Sequence, residues 1–545
     1  MNPSHKTYDT IIVGAGIAGL TSAAYLASAG RTVLLVEKNK ECGGLVNTLV
    51  RDGFRFDAGV RALLDAGIVF PMLKELGLRL EVVKSPVSLG IEKDILHIED
   101  ESGLAEYGAL LRRLYPESPE DIRAVLAIIR RIMKDMDVLY GIENPMFKDV
   151  KRDLPFVFKT LLPWLPKFLF TVRKINRMNG PVEYYLEAAV KNSSLRDIIS
   201  QHFFRNTPAF FALSYFSLYL DYVYPKGGMG KLAEALVQKT KDSGGDIRTE
   251  VKIIEVAAGR RLVKDQNGGE YAYDNLVWAA DLKTFHRLVD TKGLPSRVRD
   301  AFERKKSEML GRRGGDSVYT LFLEIDEPLE TFKAISNGHF FYTPSKRGLG
   351  RVHREELDRL LHHWDEVDRG RILAWMDDFT KFNTYEISIP GLKDPDSVPP
   401  GQTGLIVSFL AEYDLFDKAL KSGWVDEFNA ELEARVLNVL GDSVYPMLKD
   451  KEIRRFSFSP LDIERRIGSS EGAITGWSFQ DPVPVINKIQ KAARSVLTPI
   501  PSIYQAGQWA YSPAGVPMSI LTGKIATDKI LKKKRRSSGN ARKTA

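Results

Sequence analysis

The sequence predicts an α/β protein that opens with a strand–turn–helix–strand unit for holding a dinucleotide. Three observations lead there. The apolar run Ile11-Ile12-Val13 breaks into Gly14, Gly16 and Gly19, an alanine-rich segment follows, and a second apolar run ends on the acid Glu37. At 545 residues the chain exceeds what one core can organise, so a second domain is expected.

Taken in order, "YDTIIVGAGIAG" reads as a buried strand that turns at Gly14 and opens a helix at about Gly16. The helix "IAGLTSAAYLASAG" is built on alanine and stops at Gly30, after which "RTVLLVEK" supplies the second strand. The three glycines have separate roles. Gly14 makes the turn, Gly16 lets a pyrophosphate approach the backbone, and Gly19 lets helix and strand pack closely. Glu37 stands where a carboxylate accepts hydrogen bonds from a ribose hydroxyl. A glycine triplet alone is weak evidence. With strand, helix and acid in register, it points to a nucleotide cradle rather than a small-residue turn.

Composition bounds the rest. One cysteine, Cys42, excludes an internal disulfide framework and any multi-thiolate metal site and fits a reducing compartment, so a cytoplasmic location is expected. An export signal is not expected, because Asp9 and the glycines interrupt the apolar centre, and no run reaches the length of a spanning helix. The net charge of +8 owes much to "KKKRR" at 532–536, read within a basic disordered tail, 532–545, that an anionic membrane surface would attract; no motif supports nucleic acid.

Further along, in "EKNKECGGLVNTLVRDGFRFDAG", Gly43-Gly44 follows the acid and Asp57-Ala58-Gly59 closes an aromatic strand. Together with "YPKGGMGKLAEALVQKTKDSGGDIRTEVKIIEV" at 224–256 and "YQAGQWAYSPAGVPMSILTGKIATDKI" at 504–530, these segments resemble the flavoprotein superfamily of phytoene desaturases, carotenoid isomerases, retinol saturases and, more distantly, amine oxidases. The resemblance runs from end to end and implies FAD. It implies a Rossmann-type, glutathione-reductase-like FAD-binding domain assembled from 1–80, 222–290 and 495–531, beside a mixed-sheet substrate domain of 81–221 and 291–494. The latter would include a helical, apolar, membrane-facing part at about 105–220. It further implies cofactor contacts from Gly14, Gly16, Ile17, Ala18 and Gly19, from Glu37 and Lys38, and from Gly43, Gly44 and Leu45. Val251 would lie beside the adenine, and Gly507, Gln508, Gly515, Val516 and Pro517 along the pyrophosphate, ribityl chain and flavin ring. Two places depart from the pattern: Gln508-Trp509 stands where an acidic or small residue is usual, and Val60-Arg61 replaces a proline.

Other catalytic patterns fail on context. "GGMGK" at 227–231 lacks the glycine a phosphate loop needs four positions before Gly230, where Pro225 stands, and reads as the approach to an amphipathic helix over 232–241. "GSSEG" at 468–472 has a charged segment before it and a strand-like "AITGWSF" after it, the reverse of a nucleophile elbow. The resemblance instead implies that 459–476 passes near flavin and substrate. His362-His363 with Asp365 and Glu366 reads as a charged helix face rather than a metal site, and no metal is expected. The turn-rich "IPGLKDPDSVPPGQTG" at 389–404 is the expected linker.

The substrate is indicated by apolar sequence between the cofactor segments. "LPFVFKTLLPWLPKFLF" at 154–170 holds only Lys159 and Lys167 as charges, and Pro163 and Pro166 are expected to break it into two short helical pieces that dip into one membrane leaflet. "FFRNTPAFFALSYFSLYLDYVY" at 203–224 is dense in aromatics. Both are read as core that also walls a tunnel for a carotenoid-like or other polyprenyl lipid. Arg61 and Asp65 are the polar candidates for the flavin's substrate side, with an ion pair at the surface as the alternative. Three functions are weighed: redox or isomerising chemistry on a polyene, which is favoured; a flavin amine oxidase, opposed by the apolar segments; and a non-catalytic prenyl carrier like the Rab GDP-dissociation inhibitors, opposed by the intact glycines and Glu37. One dinucleotide cradle implies a diffusible electron donor or acceptor, and the protein is expected to associate peripherally with a membrane.

Overall fold

The strand Thr7–Val13, β1, ends in the apolar run Ile11-Ile12-Val13, in which Ile11 and Ile12, on opposite faces, are both fully buried, as a central parallel strand requires. In the computed structural model, which describes residues 7–148, 150, 152–451 and 453–541, β1 pairs in parallel with Val33–Val36, β2, and with Glu270–Trp278. The helix Ile17–Ser28, α1, is buried from Ile17 to Ala27 on every side. Its alanines and glycine let the sheet, the helix Gly230–Asp242 and the helix Val516–Ala541 all approach it closely.

Around this unit lies an eight-stranded sheet in the order 289–290, 253–257, 262–265, 270–278, 7–13, 33–36, 246–248, with 503–505 also paired to 270–278. Its strands come from three stretches of chain far apart in sequence. A second, seven-stranded sheet runs in the order 453–458, 317–325, 403–411, 385–388, 339–343, 87–91, 94–98, antiparallel except where 339–343 meets 87–91. Between strands 94–98 and 223–225 the chain is helical, and Leu110, Ile122, Leu186 and Ile199 build a separate core there.

Several expectations are corrected. Residues 154–175 form one continuous helical path: Leu154–Phe156, a wide turn at Val157–Leu161, and Leu162–Ile175. The wide turn, closed by a bond from the Leu162 N–H to the Val157 carbonyl, delivers the chain to Pro163 in a first helical turn, where no N–H is needed. Pro166 is carried inside the helix. The outward side chains are exposed rather than core, Phe158 at 64% and Phe170 at 71%. The 389–404 segment is a packed crossing between strands 385–388 and 403–411, not a free linker, and it buries Lys393. The helix containing His362 ends there, so Asp365 and Glu366 lie beyond it, and both histidines are exposed. No strand follows Gly472 immediately. Residues 532–541, expected to be disordered, continue the last helix to Ala541, while 542–545 lie outside the described residues.

Candidate functional site

At the carboxyl ends of β1 and β2 the first sheet opens into a wide cavity. Gly14 adopts φ +99°, and its N–H donates to the Val36 carbonyl (2.9 Å), turning the chain from β1 toward α1. A Cβ on Gly14 would lie 2.8 Å from the Ala279 carbonyl oxygen, and one on Gly19 only 1.9 Å from the Gly14 carbonyl oxygen. A Cβ on Gly16 would meet no protein atom within 4 Å. Gly14 and Gly19 are therefore packing glycines, and Gly16 leaves a free approach from the cavity.

Glu37 follows β2 and is nearly buried. Its carboxylate accepts the Ala15 N–H (2.8 Å) and the Asn39 N–H (3.0 Å), which hold it at the cavity wall. Gly43 and Gly44 line the cavity opposite Gly16, with the Gly43 N–H donating to the Ala15 carbonyl (2.8 Å). Lys38 reaches the Arg465 carbonyl (3.1 Å), and burial holds its ammonium below the usual lysine range. Ile17, Ala18, Leu45, Val251, Gly507, Gln508, Gly515 and Val516 line the same cavity. Gly19 and Pro517 do not: the first is spent on packing, and the second sits in the first turn of the last helix. Gln508 donates toward the Ala473 carbonyl (3.3 Å), while Trp509 turns inward and packs edge-on against Trp477 at 4.8 Å.

Neither of the two expected polar candidates lines this cavity, though Val60, next to Arg61, does. Asp65 accepts the Phe70 N–H (2.8 Å) and the Gly67 N–H (3.2 Å), fixing the turn before helix Val69–Glu75. Arg61 is buried, donating to the Asp57 carbonyl and the Ser408 hydroxyl (3.0 Å), so a surface ion pair with Asp65 is excluded. Asp57 accepts the Met229 N–H and the Tyr224 hydroxyl, both at 2.9 Å, and burial raises its pKa. The "GGMG" turn thus packs on the Asp57 ribbon, and the Gly230 N–H donates to the Thr48 hydroxyl (2.9 Å).

The reading of the sequence missed one lip of the cavity, Ala279 to Asp281, with Arg287 beyond it. The signal was present: "LVWAAD" ends a strand beside β1 in small residues, at the sheet edge where α/β folds bind ligands. Asp281 accepts the Ser470 N–H (2.9 Å), bringing 464–470 to the wall. Among the described residues no group of His, Cys, Asp and Glu side chains is arranged to hold a metal ion.

A second, narrow cavity lies between the helical region and the second sheet. Tyr107, Phe203, Tyr215, Phe216, Tyr219 and Phe341 dominate its walls. His202 also faces it, its pKa pushed down to about 4 by burial.

The dinucleotide cavity fits FAD on its own geometry. No side chain caps the N-terminus of α1, so its first N–H groups and its dipole are left for a phosphate, and Gly16 leaves the space for one. Bound there, FAD supplies hydride chemistry, and the chain supplies binding, orientation and exclusion of water.

Comparison with known proteins agrees. The chain is 23% identical over 541 residues to a carotenoid 3,4-desaturase of Haloarcula japonica, covering 96% of this chain and 98% of that one. It is 22% identical over 548 residues to an all-trans-retinol 13,14-reductase of Danio rerio, covering 92% and 82%. An oxidoreductase structure from Methanosarcina mazei superposes with a TM-score of 0.59 at 15% identity, over 95% of this chain and 99% of that one. Residues 17–531 match the family of flavin containing amine oxidoreductases. The chain belongs to that family, and it is an FAD-dependent oxidoreductase.

Proposed function

We propose that this flavoenzyme carries out desaturation, saturation or cis–trans isomerisation of carbon–carbon bonds in a carotenoid-like or other polyprenyl lipid. The observation that carries the reading is the aromatic, largely apolar second cavity beside the dinucleotide cavity. The relatives named for carotenoid and retinol chemistry support it. Gly14, Gly16, Ile17, Ala18, Glu37, Lys38, Gly43, Gly44 and Leu45 would hold the adenosine and pyrophosphate with Val251, and Gly507, Gln508, Gly515 and Val516 the flavin half. The FAD-binding domain is taken as 1–80, 222–290 and 495–531. Electrons pass to or from a diffusible partner, and the protein docks on a membrane through the exposed apolar helix 154–175.

The test is to mix oxidised and reduced enzyme with a panel of polyenes in liposomes, following flavin and polyene absorbance together. A polyene spectrum that changes with the flavin spectrum supports the reading, and the reacting flavin state gives the direction of electron flow. Brisk turnover of soluble amines with no response to any polyene would replace it with amine oxidation.

A further inference from the structure

Between the two cavities lies a buried polar cluster that the dinucleotide site does not use. Val60 lines the dinucleotide cavity, and Arg61 follows it. Lys393 donates to the Arg61 carbonyl (2.9 Å) and to the Ser388 hydroxyl (2.8 Å). Ser388 is paired with His339 across neighbouring strands, and the His339 Nε2 lies 3.1 Å from the Glu386 carboxylate. Glu386 is paired with Phe341 and lies two residues from Thr384, and both of those line the apolar cavity. Strand alternation therefore turns Thr384, Glu386 and Ser388 to one face of the second sheet, in a row from the apolar cavity to Lys393.

Glu386 is the exceptional member. Its side chain keeps 36% of its surface although it sits deep in the protein, whereas that of His339 keeps 2%. Its charge acts on His202, Tyr215 and Tyr219 on the cavity side and on Arg61 and Lys393 on the other. Burial favours the protonated acid, but the neighbouring His339 imidazole, with Arg61 and Lys393, outweighs it and holds the carboxyl below its usual range. A carboxylate with open acceptor capacity thus stands on the same sheet face as Phe341 and Thr384, which line the aromatic cavity.

We propose that Glu386 anchors a hydroxyl group, so that the substrate is a polyprenyl chain bearing a hydrogen-bond donor rather than a pure hydrocarbon. This rests on the reading that a polyprenyl lipid fills the apolar cavity. A hydrocarbon there strips water from the carboxylate and returns nothing, whereas a hydroxyl restores the lost bond. A fatty acid would set a like charge against Glu386. An ammonium would meet Arg61 and Lys393, which already balance Glu386 and Asp57. His339 stands behind the carboxylate, 3.1 Å away, and Tyr222 stacks on its ring at 5.3 Å.

The experiment titrates FAD-loaded enzyme with geranylgeraniol, the corresponding hydrocarbon and the corresponding amine, reading tryptophan quenching and perturbation of the flavin spectrum without turnover. The alcohol is expected to bind at least roughly tenfold tighter than the hydrocarbon. Glu386→Gln keeps the shape and a weaker acceptor, so it should lower alcohol affinity roughly fivefold while leaving the hydrocarbon unchanged. Glu386→Leu should bring alcohol and hydrocarbon to equal affinity, and the glutamine variant carries the test if the leucine variant does not fold. Equal binding of alcohol and hydrocarbon, unaltered by Glu386→Gln, would overturn the anchor and leave the polyprenyl reading standing. Preference for the amine would overturn the anchor, and failure of every probe to bind would overturn both.

Discussion

A Cβ built on Gly16 meets open space, whereas one on Gly19, three residues on, falls against the Gly14 carbonyl oxygen. Substitution at the two sites should therefore fail in different ways. Gly16→Val places its methyl groups where a phosphate must approach the α1 N-terminus, so the purified protein should be colourless, lacking the flavin spectrum, while the melting temperature of the apoprotein stays near that of wild-type apoprotein. Gly19→Ala leaves the cavity clear but forces helix from strand, at a cost of about 1–3 kcal/mol or more. Stoichiometric FAD in Gly16→Val, or an unaltered melt of apo Gly19→Ala, would contradict this division of labour. Comparing apoproteins matters because bound cofactor itself raises stability.

The 154–175 helix acts as an element rather than through any one side chain. Leu154, Phe158, Leu162, Leu165 and Leu169 recur at four- and three-residue spacing and form one exposed apolar stripe. Surface helices show water the opposite face. Here the inward face is already occupied, with Phe156 buried and the Trp164 indole donating to the Val138 carbonyl (2.6 Å) while stacking on Phe168. Moving the exposed half of one such leucine or phenylalanine into hydrocarbon is worth roughly 1 kcal/mol, and Lys159 and Lys167, both exposed, can reach the headgroups. Wild-type protein should float with anionic liposomes at low and high salt, because insertion, unlike attraction of the basic residues 532–536, is not screened. Phe158→Asp with Leu162→Asp and Leu169→Asp should stay behind at high salt. Substitutions at Phe156 or Phe168 are poor probes, since they would disturb packing as well. A folded triple variant that floats as wild type does would move the membrane contact elsewhere.

Across the whole molecule, imidazoles are held neutral in separate regions: His202 at the apolar cavity, His286 beneath the first sheet and His353 beside the second. Burial pushes each down to about 4. The unfolded chain takes up protons at these sites first, near pH 6.5, so stability present above that pH is lost as pH falls toward 4. For His286, almost fully buried and stacked on Phe302, the loss is about 2–4 kcal/mol. Thermal melts between pH 7 and 4.5 should show a steep fall in wild-type protein and a shallower one in His286→Phe. Equal slopes would show that the imidazole is not held neutral by the fold.

How much of this was legible in the sequence depends on how far apart the interacting residues are. The strand, turn, helix and acid of the first 37 residues were readable because each requirement is local. A turn needs Gly14, a phosphate needs Gly16, and a close helix needs Gly19. The assembly of one sheet from distant stretches was readable only through family resemblance, since no local pattern pairs strand 270–278 with β1. Arg61 illustrates the limit. Its neighbours in sequence suggested a flavin-side group, and they gave no sign of its distant partners Ser408 and Lys393, more than three hundred residues away. The apolar helix was recognised by composition, yet whether it faced core or solvent depended on what else the fold had left to cover it. Sequence by itself determined the local chemistry of a dinucleotide cradle, and resemblance along the whole chain named the dinucleotide as FAD. Only the tertiary structure decided which polar groups share a low-dielectric interior, because burial is a property of contacts between distant segments and not of any one of them.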